Sequence, residues 1–325
     1  MTTMAKPRIL VTRKLPDEVE HRLTRDFSIA LNPLDTPMTA EKIIAQAAHF
    51  DALLIASMDK CRDDVINALP ASIRMIATFS VGTDHIDIPA AKIRGIAVTN
   101  TPDVLTDATA DISMLLILGA ARGAIWGDAM VRENKWPAPS LVSPLGLDVS
   151  GRRLGILGMG RIGQAVAKRA AAFGMTLHYH NRKRVDAALE HGATFHPSFE
   201  EMLPHCDFLS INCASTPETR GIVNARTLAL LPDNAIVVNA ARGDIVEDDA
   251  LISALKSGKL AAAGLDVFKG EPNIDYRYRS LPNIFMLPHL GSATGNTRIA
   301  MGMRAVDNIA AFFRGDRPRD LLTGD

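Results

Sequence analysis

The stretch Leu154-Gly-Ile-Leu-Gly-Met-Gly-Arg-Ile-Gly163 decides the fold. An apolar run, Leu154, Ile156 and Leu157, enters a glycine triplet, Gly158, Gly160 and Gly163. It leaves into an alanine-rich pattern with Ile162, Val166, Arg169 and Phe173 at helical spacing. Strand, tight turn and helix follow one another without a break. The first amides of a helix are unpaired and its dipole is positive at that end, so a pyrophosphate can rest there if no Cβ blocks the approach. Gly158 permits the turn, Gly160 lets the phosphates come close, and Gly163 lets the helix lie against the strand. A second strand, Met175–Tyr179, leads to Asn181-Arg182-Lys183-Arg184. An NAD site carries an acidic residue there for the ribose 2′-hydroxyl. A neutral amide and two arginine forks suit a 2′-phosphate instead. The expected cofactor is NADP(H) in preference to NAD(H), held by Gly158, Gly160, Arg161, Ile162, Gly163, Asn181, Arg182, Lys183, Arg184 and Cys213.

N-terminal to this stretch, strand-like runs alternate with helical ones. They are Arg8–Val11, Asp17–Leu23, Glu41–Ala48 capped by Thr39, Ala52–Ile55, Arg74–Thr78 and Ile96–Thr99. This rhythm predicts a parallel sheet covered by helices. It contains no phosphate loop, so it forms a unit of its own, complete or nearly so before residue 103. C-terminal to the glycines, Asp207–Asn212, Ala235–Asn239 and Leu260–Leu265 continue a second sheet. Thr294–Phe313 reads as one amphipathic helix. Between the units lies Asp107–Trp136, whose Ile112–Leu118 is apolar on nearly every face, and then the loop Pro137–Ser150. A helix without a polar face is buried in its own subunit or against another one. With the long loop it suggests a dimer arm; burial within one subunit is the competing reading.

The 325 residues, 47% apolar and 22% charged, suffice for two cores. A formal net charge of zero offers no field for nucleic acid or anionic lipid. Met1–Arg8 is polar, and the apolar stretch Ile112–Ala121 is too short to span a bilayer. Cys61, Cys206 and Cys213 show neither CxxC spacing nor a disulfide framework. His178 and His180 share a strand face but lack further ligands in spacing, so no metal is expected. These features predict a soluble, cytoplasmic protein that binds neither nucleic acid nor membrane.

Three polar residues follow apolar runs in the second unit: Arg242 after Ile236–Ala241, Glu271 in LDVFKGEP, and His289 in MLPHLGSAT. In open parallel sheets ligands collect beyond the carboxyl ends of the strands. Reduction of a 2-oxo acid needs these residue types. An arginine holds a carboxylate with two parallel bonds, a histidine supplies a proton near neutral pH, and a carboxylate on the other ring nitrogen fixes the ring. Taken singly, each also reads as a turn, surface or loop residue.

The chain resembles the D-isomer-specific 2-hydroxyacid dehydrogenase family over nearly its whole length. The resemblance rests on SVGTDHIDI (Ser80–Ile88), NTPDVLTDATAD (Asn100–Asp111), LGMGRIG, VVNAARGDIVEDDAL (Val237–Leu251), AAAGLDVF (Ala261–Phe268), GEP and LPHLGSAT. It implies that Arg242, Glu271 and His289 are catalytic. Val81 and Gly82 would bind the substrate carboxylate through their amides, and Thr109, Ala240 and Asp266, with Gly291 nearby, would meet the nicotinamide. Ser57, Met58 and Trp136 are weaker candidates for the substrate pocket. Implied too are two Rossmann-like or flavodoxin-like parallel-sheet domains with a hinged cleft between them. Residues 1–102 plus 292–325 would form the substrate domain, and 103–291 the dinucleotide domain, with a dimerisation segment at about 107–150. TPDVLTDATAD and the Asn-Arg pair most resemble NADP-dependent glyoxylate/hydroxypyruvate reductases, although Asp111 stands where Glu is more usual. Val81 replaces the lysine of phosphite-oxidising relatives. A short phosphoglycerate-dehydrogenase type and a dinucleotide-sensing corepressor are the alternatives. The sequence ends at Asp325 without a regulatory domain, which disfavours the long phosphoglycerate type. The expected activity is NADPH-dependent reduction of small 2-oxo acids, by a homodimer.

Overall fold

Two units account for the chain: Met1–Leu105 with Thr294–Asp325, and Thr106–Ala293. The structure, a computed structural model, describes residues 6–138 and 140–324. Residues 1–5, Pro139 and Asp325 lie outside the described residues, and with them most of the Met1–Arg8 reading and one position of the 137–150 loop.

The first unit opens with β1 (Arg8–Val11), α1 (Asp17–Asp26), β2 (Ser28–Ala30), α2 (Ala40–Ala47), β3 (Ala52–Ile55), α3 (Asp63–Ala68), β4 (Met75–Thr78), α4 (Ile88–Ile93) and β5 (Ala97–Thr99). The strands form one parallel sheet in the order β2-β1-β3-β4-β5, the flavodoxin-like order. Every residue of β3 and β4 is buried, which explains their unbroken apolar runs, since helices cover both faces of such a sheet. Thr39 caps α2 as the sequence predicts, its hydroxyl accepting from the Lys42 amide.

The second unit contains α5 (Thr106–Ala121), α6 (Ala124–Arg132), β6 (Arg153–Leu157), α7 (Arg161–Ala172), β7 (Thr176–His180), β8 (Thr194–His196), α8 (Phe199–Met202), β9 (Phe208–Ile211), α9 (Ala225–Ala229), β10 (Ala235–Asn239), α10 (Asp248–Ser257), β11 (Leu260–Leu265) and β12 (Ile284–Met286). Its seven strands run parallel in the order β8-β7-β6-β9-β10-β11-β12. The order reverses between β6 and β9, and the glycine triplet follows β6, at the point where such sheets bind ligands.

The apolar α5 lies in this unit's core, against α7 and β10–β12. Small residues make the approach possible: a Cβ at Gly264 would come within 2.8 Å of the Leu116 carbonyl, and one at Gly119 within 2.5 Å of the Phe285 ring. Leu116 and Ile117 are fully buried, and each such side chain contributes ~1.5–3 kcal/mol. Most of the apolar surface of α5 is thus buried within one chain, with Leu115 left exposed. The chain then bends at Gly123 (φ +62°) into α6, which buries no residue.

The last element, α11 (Gly295–Arg314), belongs to the first unit. Thr294 caps it and Gly315 ends it in the left-handed conformation. At Gly302 it approaches α1 so closely that a Cβ would stand 2.5 Å from Val19. The tail beyond it covers the edge strand, with Leu322 N–H donating to the Val98 carbonyl (2.8 Å).

Candidate active site

The turn after β6 is shaped by its backbone. Gly158 has φ +99°, and a Cβ there would lie 2.6 Å from the Cys213 nitrogen. A Cβ at Gly163 would overlap the Gly158 carbonyl oxygen, so α7 rests directly on the turn. Gly160, the N-cap of α7, differs: a Cβ would meet nothing within 4 Å. Two glycines therefore serve the fold, and the third leaves room. Arg161 opens the helix and Ile162 is half-buried behind it. The first-turn amides lack intrahelical acceptors. The donor set and the open position fit a dinucleotide pyrophosphate.

At the end of β7, the Met159 amide donates to Asn181 Oδ1 (2.9 Å), tying the two loops together. Arg182 and Lys183 are exposed. Arg184 departs from its expected place in a phosphate clamp. Its fork grips Glu190 with two bonds (2.7 and 3.0 Å), and Tyr179 donates to the same carboxylate (2.7 Å). These two partners hold the Glu190 carboxyl down at about 2. Nε and Nη2 of Arg184 are thus engaged by Glu190, although the side chain itself is exposed.

The other end of the same sheet is shaped by side chains. Arg242, Glu271 and His289 follow the neighbouring strands β10, β11 and β12. Asn239, buried at the end of β10, accepts from the Ala241 amide (3.0 Å) and donates to the Arg242 carbonyl (2.8 Å), which bends the turn carrying Arg242. Gly243 packs where a Cβ would overlap the backbone of Phe268 and Lys269, so this turn abuts the loop that carries Glu271. Glu271 Oε1 accepts from the Phe268 amide (2.6 Å) and Oε2 from His289 Nδ1 (2.7 Å). Burial pushes the Glu271 carboxyl up, but the His289 hydrogen bond and charge, the Phe268 amide and the Arg242 charge outweigh it. The net position is below the ordinary glutamate value. An ionised carboxylate only accepts, so Nδ1 carries the hydrogen and Nε2 is left for a ligand.

Asp266, fully buried, sets the histidine loop. Its carbonyl accepts from the His289 amide (2.8 Å), and its carboxylate accepts from the Leu290 and Gly291 amides (2.6 and 2.8 Å). Burial raises its pKa against those hydrogen bonds and the charge of His289. Thr109, on α5, donates to the Gly291 carbonyl (3.0 Å). Thr109, Asp266 and Gly291 are thus brought together as a clamp on the loop that presents His289 at φ +57°. Ala240 lies half-buried in the Arg242 turn.

In the first unit, the loop after β4 has its carbonyls engaged. Thr101 N–H donates to Ser80 O (2.9 Å), Asn100 Nδ2 to Val81 O (2.8 Å), and Ser80 Oγ to Gly82 O (2.7 Å). Among the described residues the Val81 and Gly82 amides donate to no protein acceptor. Amides presented in this way suit an anion. Ser57 and Met58 are exposed after β3, in a loop that the buried Asp59 holds through the Ala56 amide (2.8 Å). Trp136, 71% exposed, lies in the loop after α6 of the second unit.

The sequence model of the NAD-binding domain of D-isomer-specific 2-hydroxyacid dehydrogenases matches residues 114–291. The glycerate dehydrogenase of Hyphomicrobium methylovorum is 44% identical over 314 residues, 96% of this chain and 98% of its own length. The glyoxylate reductase of Pyrococcus furiosus is 39% identical over 322 residues, 98% of this chain and 95% of its own. A solved NADPH-dependent glyoxylate/hydroxypyruvate reductase of Sinorhizobium meliloti, in complex with NADP and malonate, superposes with a TM-score of 0.89. It is 35% identical, with 98% of this chain and 97% of that chain covered. The chain belongs to the D-isomer-specific 2-hydroxyacid dehydrogenase family.

As a member of that family the protein is an NAD(P)-binding oxidoreductase of 2-hydroxy acids. The structure brings the expected Arg242, Glu271 and His289 to the ends of neighbouring strands. Sequence reasoning missed residues that bond to or abut the candidate-site loops: Asn239, Gly243, Asn100, Ser80 and the clamping action of Asp266. Only Asn239 left a signal, an Asn at a strand end before small residues, where an Asx turn forms. His178 and His180 both meet His196: His178 Nδ1 lies 3.0 Å from His196 Nε2, and His180 Nδ1 3.0 Å from the His196 carbonyl.

Proposed function

We propose that the protein is an NADPH-dependent reductase of small 2-oxo acids, glyoxylate and hydroxypyruvate, with His289 as the general acid. The observation that carries this reading is the Glu271–His289 hydrogen bond of 2.7 Å, on a loop held by Asp266. When bound, the reduced nicotinamide supplies hydride to C2 of the substrate. His289, fixed at Nδ1 by Glu271, gives the Nε2 proton to the oxygen on that carbon. Such proton transfer from a positioned side chain is worth about 100- to 10,000-fold in rate. Arg242 holds the carboxylate and polarises the carbonyl, and the Val81 and Gly82 amides receive the carboxylate oxygens.

The preference for NADPH rests on Asn181, Arg182 and Lys183. No acidic residue occupies positions 181–184 after β7, and Asn181 is already joined to the phosphate turn through Met159. Arg184 is left out of this assignment because Glu190 holds it. Names among the relatives point the same way, since the Sinorhizobium enzyme is NADPH-dependent. A homodimer is supported by α6, which buries nothing in its own chain, and by exposed Ile125, Val131, Leu141, Val142 and Leu145 around it. A monomeric mass at micromolar concentration would contradict the dimer.

The test of the activity is a panel of 2-oxo acids assayed with NADPH and with NADH. Glyoxylate and hydroxypyruvate are expected to be reduced, with kcat/KM higher for NADPH. Equal use of the two cofactors would contradict the cofactor assignment, and no turnover of any 2-oxo acid would contradict the reaction.

A further inference from the structure

The first unit carries a cation that the reading above leaves unused. Of the three arginines on α11, Arg304 pairs with Asp320 (2.6 Å) and Arg314 with Asp316 (2.9 Å). Arg298, in the first turns, makes no hydrogen bond or ion pair among the described residues, although it is half-buried. Its Cζ stands 5.9 Å from the centroid of the Phe79 ring. Burial lowers its pKa from the ordinary arginine value, with no opposing partner.

An aromatic face offers a guanidinium some attraction, but it satisfies none of the five N–H donors in their plane. The arrangement is reversed from what stability alone favours. Arg8 is paired with Asp51 and the half-buried Arg13 with Asp35, whereas Arg298, likewise half-buried, has no counter-ion among the described residues. Taking a charge partly out of water without a counter-ion is unfavourable, and a ligand anion would relieve it. Phe79 identifies where such an anion would sit. It is the residue that leads into Ser80-Val81-Gly82, the loop whose carbonyls are engaged and whose Val81 and Gly82 amides are not.

We propose that Arg298 is a substrate-binding residue whose guanidinium, with the Val81 and Gly82 amides, receives the carboxylate of the 2-oxo acid. This rests on the reading of the 80–82 loop as the carboxylate receptor. It gives the carboxylate a second cation: Arg298 and the amides bind it together with Arg242, which also polarises the carbonyl. Glyoxylate and hydroxypyruvate share the carboxylate, so both depend on Arg298 equally.

The experiment compares the parent protein with Arg298→Gln and Arg298→Lys. Oxamate, an unreactive 2-oxo acid mimic, is titrated calorimetrically into each protein saturated with its better cofactor. In parallel, KM and kcat are measured for glyoxylate and hydroxypyruvate. Arg298→Gln is expected to weaken oxamate 10- to 100-fold and to raise KM for both substrates by the same factor, with kcat within about threefold. Arg298→Lys recovers part of the loss, which confirms that a cation is needed if the glutamine variant folds poorly. An oxamate Kd within twofold of the parent in a folded Arg298→Gln variant overturns the proposal, as does a parent that binds no oxamate. A parent that binds oxamate but reduces no 2-oxo acid overturns the reductase reading alone. In that case the ratio of oxamate Kd values still decides the role of Arg298.

Discussion

The carboxyl end of the seven-stranded parallel sheet holds two kinds of loop. After β6 and β7 the chain is shaped by what is absent: glycines where a Cβ would collide, and an open position at Gly160. After β10, β11 and β12 it is shaped by what is present. Buried Asn239 and Asp266 bond to backbone amides and carbonyls, and Glu271 fixes the ring of His289. Under the proposed function the difference follows from the ligands. A pyrophosphate is bound by amides and needs clearance. A proton donor must be aimed to within a fraction of an ångström, and only a set of directional bonds does that.

The largest effect that can break this contrast is at His289. Replacing it with Gln is expected to lower turnover about 100- to 10,000-fold while leaving cofactor affinity near that of the parent, as read by fluorescence titration with NADPH. More than a tenth of the parent turnover would remove His289 as the acid. Next come the glycines. Gly163→Ala forces a methyl into the Gly158 carbonyl and is expected to destabilise the fold by about 1–3 kcal/mol, the range for overpacking. Gly160→Ala has room and an ordinary φ of −76°. It should melt with the parent and lose only dinucleotide affinity. Equal melting temperatures for both variants would erase the distinction between fold glycines and the ligand glycine.

A smaller effect sharpens the cofactor end. Arg182→Ala is expected to raise KM for NADPH about tenfold more than KM for NADH, the loss of one charge-assisted bond. Arg184→Ala should leave that ratio unchanged and lower stability, because its partner is Glu190. A ratio that moves with Arg184 instead would return it to the phosphate clamp. The smallest effect is the pH dependence of stability at the acid–base end. The Glu271 carboxyl sits below the ordinary glutamate value of 4.5 in the fold. Its ionised form therefore stabilises the protein above that value, and the contribution fades as pH falls through the lowered one. The difference in Tm between parent and Glu271→Gln should be full at pH 7 and narrow below pH 4.5. A difference that grows on acidification would reverse the sign of the argument.

The sequence was readable where a signal was periodic or chemical. Strands β1, β3 and β10 stand at the residues that the apolar runs delimit, and Thr294 caps the last helix. Three strands escaped notice: β2, β8 and β12. Each has three residues, and each closes an edge of its sheet. So short a strand shows no alternation, and these three are only partly buried, so the apolar signal fades; β5, as short and also at an edge, is legible because two of its three residues are buried. The same holds in the site. Arg242, Glu271 and His289 stand out in the sequence because their side chains suit the chemistry and follow apolar runs, and the structure brings them to neighbouring strand ends. Asn100 and Asn239 were not, because each acts on a backbone group whose position tertiary structure decides. Arg184 misled for a related reason: in sequence a fork that holds a phosphate looks the same as one that holds a glutamate six residues on.

The most direct measurement is a crystal structure of the complex with NADP and glycolate. His289 Nδ1 should remain on Glu271, with Nε2 within about 2.6–3.2 Å of the C2 oxygen. An Nε2 more than about 4.5 Å from that oxygen, outside the range of any hydrogen bond, would contradict the assignment of His289 as the proton donor.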